Sequence, residues 1–184
     1  GFFQLSAQDP LFQSDEVLSL TLTADWGAVQ EDRGSRPVYH DAILSYAGEG
    51  GEITEIKAKV KARGNYRKDP FLCQFAPLRM KLSKHVDHPL PFTGQRKLKM
   101  VTHCASDEYI LREYYLYKLY QKFTNASFLV RLARIEYVDS EGEIDTETHY
   151  SFFIEDKDRM AERVGGISID EDILVESEEV SPAD

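Results

Sequence analysis

Two lysines on an alternating segment, Lys97 and Lys99 in Arg96-Lys-Leu-Lys-Met-Val-Thr-His103, stand just before a helical stretch that carries Glu113 among apolar residues. In a strand, Lys97 and Lys99 share one face while Leu98 and Met100 share the other. On a helix, Glu113 falls with Tyr109, Ile110, Leu116, Tyr117 and Tyr120, the positions three, four and seven residues away. An unpaired carboxylate on such a face costs on the order of several kcal/mol, so either its pKa rises or a cation meets it. Lys97 and Lys99 are the nearest cations along the chain. A lysine oriented by a helix carboxylate can hold its amine against the phosphates of a nucleotide. A purely structural ion pair, or a Glu113 that reaches water past its tyrosines, fits the same pattern.

Composition limits what surrounds these residues. The chain has 184 residues, 42% hydrophobic and 11% aromatic, which suffices for one domain with a core and argues against disorder. The net charge of -10 is uneven: residues 167–184 contain seven acids and no Lys or Arg, leaving -3 for the body. No global basic field for nucleic acid remains. Residues 167–184 read as an acidic linker or tail. No run of about 20 apolar residues exists, so no transmembrane helix is expected.

Gly1 resembles a residue left by tag cleavage, and Phe2-Phe-Gln-Leu-Ser-Ala7 reads as the end of a secretory signal, with a mature start near Gln8. Residues 1–10 are therefore set apart, and a secreted or periplasmic location is expected, with a cytoplasmic one left open. Cys73 and Cys104 fit either one disulfide or two buried thiols. A zinc set drawn from Cys73, Cys104, His103 and His85 or His88 lacks any CxxC or HExxH spacing, so no metal site is assigned.

Alternation predicts strands at 17–23, 41–47, 55–63, 78–82, 96–103, 130–138 and 149–154. In the third, Ile56, Ala58, Val60 and Ala62 oppose Lys57, Lys59, Lys61 and Arg63. Four cations in a row could follow a phosphate backbone, or form one wet face of a sheet; the acidic total favours the wet face. Ser106 suits an N-cap, with Asp107 and Glu108 in the first turn, for a helix over 107–123. A short helix over 157–164 stops at Gly165-Gly166. The fold expected is α+β: a mainly antiparallel sheet with one principal helix.

Arg63-Gly-Asn-Tyr-Arg67, Pro77-Leu-Arg-Met-Lys-Leu82, Lys97-Leu-Lys-Met-Val101, Leu111-Arg-Glu-Tyr114 and Phe152-Phe-Ile-Glu-Asp156, in that order, resemble the spore-coat protein H kinase-like family. Its members are atypical protein kinases with a reduced kinase fold that binds ATP and divalent metal and phosphorylates serine. The resemblance spans residues 11–166 and implies a kinase N-terminal lobe. It makes Lys99, with Lys97 beside it, the phosphate-gripping residue and Glu113 its helix partner. Ile154 and Glu155 become the hinge, whose backbone would meet adenine, and Arg63-Gly64-Asn65 a turn near the nucleotide. ATP and Mg²⁺ are the cofactors implied, and a protein substrate the partner.

A kinase also needs a second lobe with a catalytic Asp and metal-binding Asp or Asn after the hinge. Residues 156–184 offer no such lobe, so the resemblance implies the nucleotide-binding half of a longer protein, with catalytic residues on the missing C-terminal lobe. The alternative is a non-catalytic cell-envelope module that kept the fold. Hydrolase chemistry is disfavoured: His149 and Ser151 share a strand face but sit about 7 Å apart along it.

Overall fold

The alternating segments form strands close to the bounds read from sequence, in a computed structural model that describes residues 9–48, 50–83 and 87–169. Gly1, the stretch at 2–7 that reads as the end of a secretory signal, His85 and the tail acids from Asp170 onward lie outside the described residues. After a 3-10 turn at Pro10–Phe12 come β1 (Leu18–Ala24), α1 (Trp26–Glu31), β2 (His40–Ala47), β3 (Ile53–Ala62), β4 (Leu78–Leu82) and β5 (Lys97–Val101). The helix α2 (Asp107–Tyr120) follows, then β6 (Val130–Asp139), β7 (Glu147–Ile154) and α3 (Lys157–Arg163).

Period-two patterning decides which side chains meet. Leu20, Leu22, Leu44, Ile56, Val60, Met80, Leu98, Met100, Ile135 and Phe153 fill one buried cluster. Lys57 and Lys59 face water from β3, and Lys59 pairs with Asp41 across to β2 at 2.6 Å. Lys57 and Lys59 thus lie on a wet face, Lys61 is half-exposed, and Arg63, the fourth cation of that row, follows the end of β3 and is half-buried. Asp25, Ser106 and Asp156 each cap a helix by accepting a backbone N–H with the side chain, at α1, α2 and α3 respectively.

The expected α+β arrangement of an open antiparallel sheet with one principal helix, in the form of a kinase lobe, does not hold. The seven strands close into a barrel in the order β1-β2-β3-β4-β5-β7-β6, with three short α-helices among the described residues. Sequence neighbours pair antiparallel, as alternation and short turns imply, but β1 also pairs with β6 in parallel, Leu18 opposite Ala133 through Ala24 opposite Asp139. That register joins segments more than a hundred residues apart, and no local pattern announces it. Closure removes the unpaired strand edges that an open sheet would expose.

The helix α2 lies outside the barrel on β6 and β7. Ile110 and Tyr114 pack with Val101, Val130, Leu132 and Phe152 in a second cluster, with Leu111 and Tyr117 partly covered beside them. The start of β6, residues 130–133, and residues 151–153 of β7 are consequently buried on both faces. Tyr109, Leu116 and Tyr120 are exposed, so the apolar ring expected around Glu113 mostly faces water and Glu113 is only partly desolvated.

The chain leaves β5 through Thr102, His103 and Cys104, and Cys104 forms a disulfide with Cys73. The bond leaves neither sulfur free for zinc, and His88 Nε2 contacts the Ser83 carbonyl at 3.0 Å, so the zinc set weighed from sequence does not form. Cys104 has φ of 54°, in the left-handed region, and Phe75 bridges to it across the turn. Burial, and then the charge of His149, hold His103 down to about 4, so its ring is neutral near pH 7.

Linking positions 31 apart restricts the unfolded chain; the chain-entropy relation gives about 3–4 kcal/mol for such a loop. Replacing both cysteines by serine should lower unfolding free energy by roughly that amount in urea titrations, with the barrel's far-UV circular dichroism retained.

Candidate functional site

The turn after β3 needs glycine: Gly64 has φ of 94°, a conformation that side chains disfavour. This turn carries Arg63 and Arg67 to one wall of a cleft of about 380 Å³, within the size range of small-molecule sites. Lys99 of β5, Ile154 at the end of β7, Glu155 just after it, and Glu113, Tyr117 and Phe128 also line it. Lys99 stands opposite Ile154 in the β5–β7 ladder, so strand register alone makes them neighbours.

Lys99, Glu113, Ile154 and Glu155, singled out from sequence on separate elements, therefore line one cleft. Lys97 does not: it is exposed on β5 and opposite Lys81. The expected pair of Lys99 with Glu113 is replaced by two others. Lys99 Nζ lies 2.9 Å from Asp156 Oδ2, and Arg67 Nη2 donates to Glu113 Oε2 at 2.9 Å. Burial pushes Asp156 up, but the hydrogen bond from Lys99, the Asp158 N–H and the Lys99 charge hold it below the usual carboxylate range.

Glu155 is buried and committed. Its carboxylate accepts Arg163 Nε at 3.0 Å and Nη2 at 2.8 Å, and also the Leu129 N–H at 3.0 Å. The Glu155 N–H donates to the Leu129 carbonyl at 2.9 Å, so this amide of the expected hinge is already used. The paired carboxylate raises Arg163 above its ordinary value.

Arg63 carries the unmet charge. Burial is the first cause holding it below the usual guanidinium range, and Arg79 and Arg67 add like-charge repulsion that Asp156 only partly offsets. No hydrogen bond to another described residue figures among its stabilising influences. A guanidinium stays protonated under such conditions. With Glu155 neutralised by Arg163, the cleft sets Arg63, Arg67 and Lys99 against Glu113 and Asp156, one cation in excess before Arg79 is added. It suits an anion, and the rings of Tyr117 and Phe128, set edge to face at 80°, add apolar lining beside it.

A second hollow, lined in part by Ser45, Arg134, Glu136 and Thr148, sets one arginine against one glutamate and shows no such excess. Ser151 is fully buried and its hydroxyl shares a hydrogen bond with the Tyr137 hydroxyl at 2.8 Å, so it is not presented to a substrate beside His149. Sequence reasoning named Arg63 in a turn and in the cation row of the third strand, and gave Arg67 and Asp156 no role of their own. The available signals were two arginines flanking one obligatory glycine, and an aspartate placed to cap α3. No family model matches this chain, and no curated protein matches it.

Replacing Glu155 by Gln leaves Arg163 without its carboxylate. Breaking a buried pair costs about 3–5 kcal/mol, and partial exposure of Arg163 reduces the expected loss to about 2 kcal/mol. Urea unfolding of Glu155→Gln measures it; a change below about 0.5 kcal/mol would mean that this pair does not hold the cleft lining.

Proposed function

We propose that this chain is the nucleotide-binding portion of an ATP-dependent protein phosphotransferase of the spore-coat protein H kinase-like family. The observation that carries the reading is the desolvated, under-compensated Arg63 beside Lys99 and Arg67 in a cleft with an aromatic side. Phosphate oxygens supply the negative charge that these groups lack, and a base fits against Tyr117 and Phe128. Lys99 binds phosphate by leaving Asp156, and Arg67 by leaving Glu113. Because the Glu155 amide is already bonded to Leu129, adenine would be recognised through other groups than that N–H.

Mg²⁺ favours oxygen donors and commonly arrives with the phosphates. Glu113 and Asp156, the cleft carboxylates not tied to Arg163, are the residues that would hold it, and the ion would supply charge neutralisation for phosphoryl transfer. The chain's own residues bind and orient the triphosphate. Secretion or a periplasmic location accompanies this reading, since the disulfide suits a non-reducing compartment. No described helix is long and apolar enough to cross a membrane.

A second reading rests on the same ion pairs. Lys99 with Asp156 and Arg67 with Glu113 are satisfied internally, as a non-catalytic binding or structural module of the cell envelope would have them.

Calorimetry with ATP, with and without Mg²⁺, separates the two. Saturable ATP binding weakened about tenfold or more by Lys99→Ala and by Arg63→Gln supports the nucleotide site. No binding by the wild-type chain, or equal binding by both variants, favours the module.

A further inference from the structure

His149, near the start of β7, stands between two carboxylates. Its Nδ1 lies 3.1 Å from Asp107 Oδ1 and its Nε2 3.2 Å from Glu147 Oε2. A neutral imidazole has one N–H and can donate to only one of them. Asp107 is the better anchored acceptor: it opens α2, and the same Oδ1 also receives the Tyr150 N–H at 3.1 Å. With the proton on Nδ1, the Nε2 lone pair faces the Glu147 carboxylate, a contact that a cation bound by both would turn from repulsive to attractive. A separation of 3.2 Å matches the edge between two ligands of tetrahedral zinc, about 3.3 Å for metal–ligand bonds of roughly 2.0–2.1 Å.

A third donor is at hand. The His103 ring stacks on His149 with centroids 3.8 Å apart and planes 17° from parallel. His103 is 8% exposed, and its Nδ1 has no hydrogen-bond partner among the described residues. One ligand atom from each of His103, Glu147 and His149 lies within 4.8 Å of the others.

We propose that His103, His149 and Glu147 bind a divalent transition-metal ion of the zinc class, with Asp107 fixing the tautomer of His149 from its far side. Two imidazoles and one carboxylate suit Zn²⁺ or Co²⁺ and not Mg²⁺ or Ca²⁺, which prefer all-oxygen sets. Imidazole lone pairs lie in the ring plane, so binding tilts one ring out of the stack. His103 is held by the disulfide-pinned turn and by its contact with Phe75 at 4.6 Å. His149, with 29% of its side chain exposed, is the ring that moves. The carboxylate behind a metal-bound histidine is a common second partner.

The ion would clasp the turn after β5 to the start of β7, and through Asp107 to the N-terminus of α2. Five residues of β7, roughly 17 Å, separate His149 from Ile154 in the cleft. The site is therefore distinct from the proposed nucleotide cleft and does not depend on that reading.

The test is calorimetric titration of Zn²⁺ into the full chain after treatment with chelator. One ion per chain is expected, with affinity reduced about tenfold or more in His149→Ala and in Glu147→Gln. His40→Ala, which removes a histidine paired to Asp32 elsewhere, should bind as the wild type does. Co²⁺ should give the strong visible absorption of a four-coordinate site, and Mg²⁺ no binding that competes with Zn²⁺. Should His149→Ala fail to fold, Glu147→Gln decides, because that side chain is exposed. No saturable Zn²⁺ binding, or binding unchanged in Glu147→Gln, overturns the proposal and leaves the cluster as side-chain contacts that close this end of β7.

Discussion

The parallel pairing of β1 with β6 is the contact on which the remaining geometry depends, because it turns a meander of antiparallel strands into a closed barrel. Once closed, the barrel places Leu20, Leu22, Ile135 and Phe153 in one interior and removes the strand edges. It also fixes β5, β7 and β6 as neighbours, so that Lys99 meets Ile154 and Ile154 meets Val130 in register. The outer face of β6 and β7 is then the apolar seat on which α2 packs through Ile110 and Tyr114. Long-range closure thus precedes, in physical dependence, both the cleft and the placement of the helix that flanks it.

The cleft shows how a barrel end can concentrate charge without a charged interior. Arg63 and Arg67 come from a glycine turn, Lys99 from the half-wet face of a strand, and Glu113 from the flank of α2. Glu155 differs: it is buried, and Arg163 with the Leu129 amide saturates it, so it serves to hold α3 and the β6 entry together. The two remaining carboxylates, Glu113 and Asp156, are each taken by a cation. Arg63, half-buried and beside the like charges of Arg79 and Arg67, takes the place in the electrostatics of the cleft that the expected lysine–glutamate pair does not fill.

Much of this was written locally. Period-two alternation gave the strands, and the wet and buried faces of β1 and β3, because those faces depend only on residues two apart. Ser106 with Asp107 and Glu108 marked the start of α2, since a cap is a contact within one turn. The family resemblance drew attention to Lys99, Glu113, Ile154 and Glu155, which the fold gathers around one opening.

What the chain could not announce were partners set by distance in sequence. Helical periodicity put Glu113 among tyrosines and leucines, but it could not tell that Tyr109, Leu116 and Tyr120 would face water, because burial depends on which surface the barrel offers. Proximity along the chain suggested Lys99 for Glu113, whereas the fold supplies Arg67 from 46 residues away and leaves Lys99 to Asp156. His103, His149 and Glu147 likewise come together only because β5 and β7 are adjacent strands. The sequence by itself determined the elements, their wet faces and their caps, all interactions of a few residues' range. Tertiary structure alone decided closure, charge partners and the histidine cluster, because each rests on strand order, which only the global packing of the chain can choose.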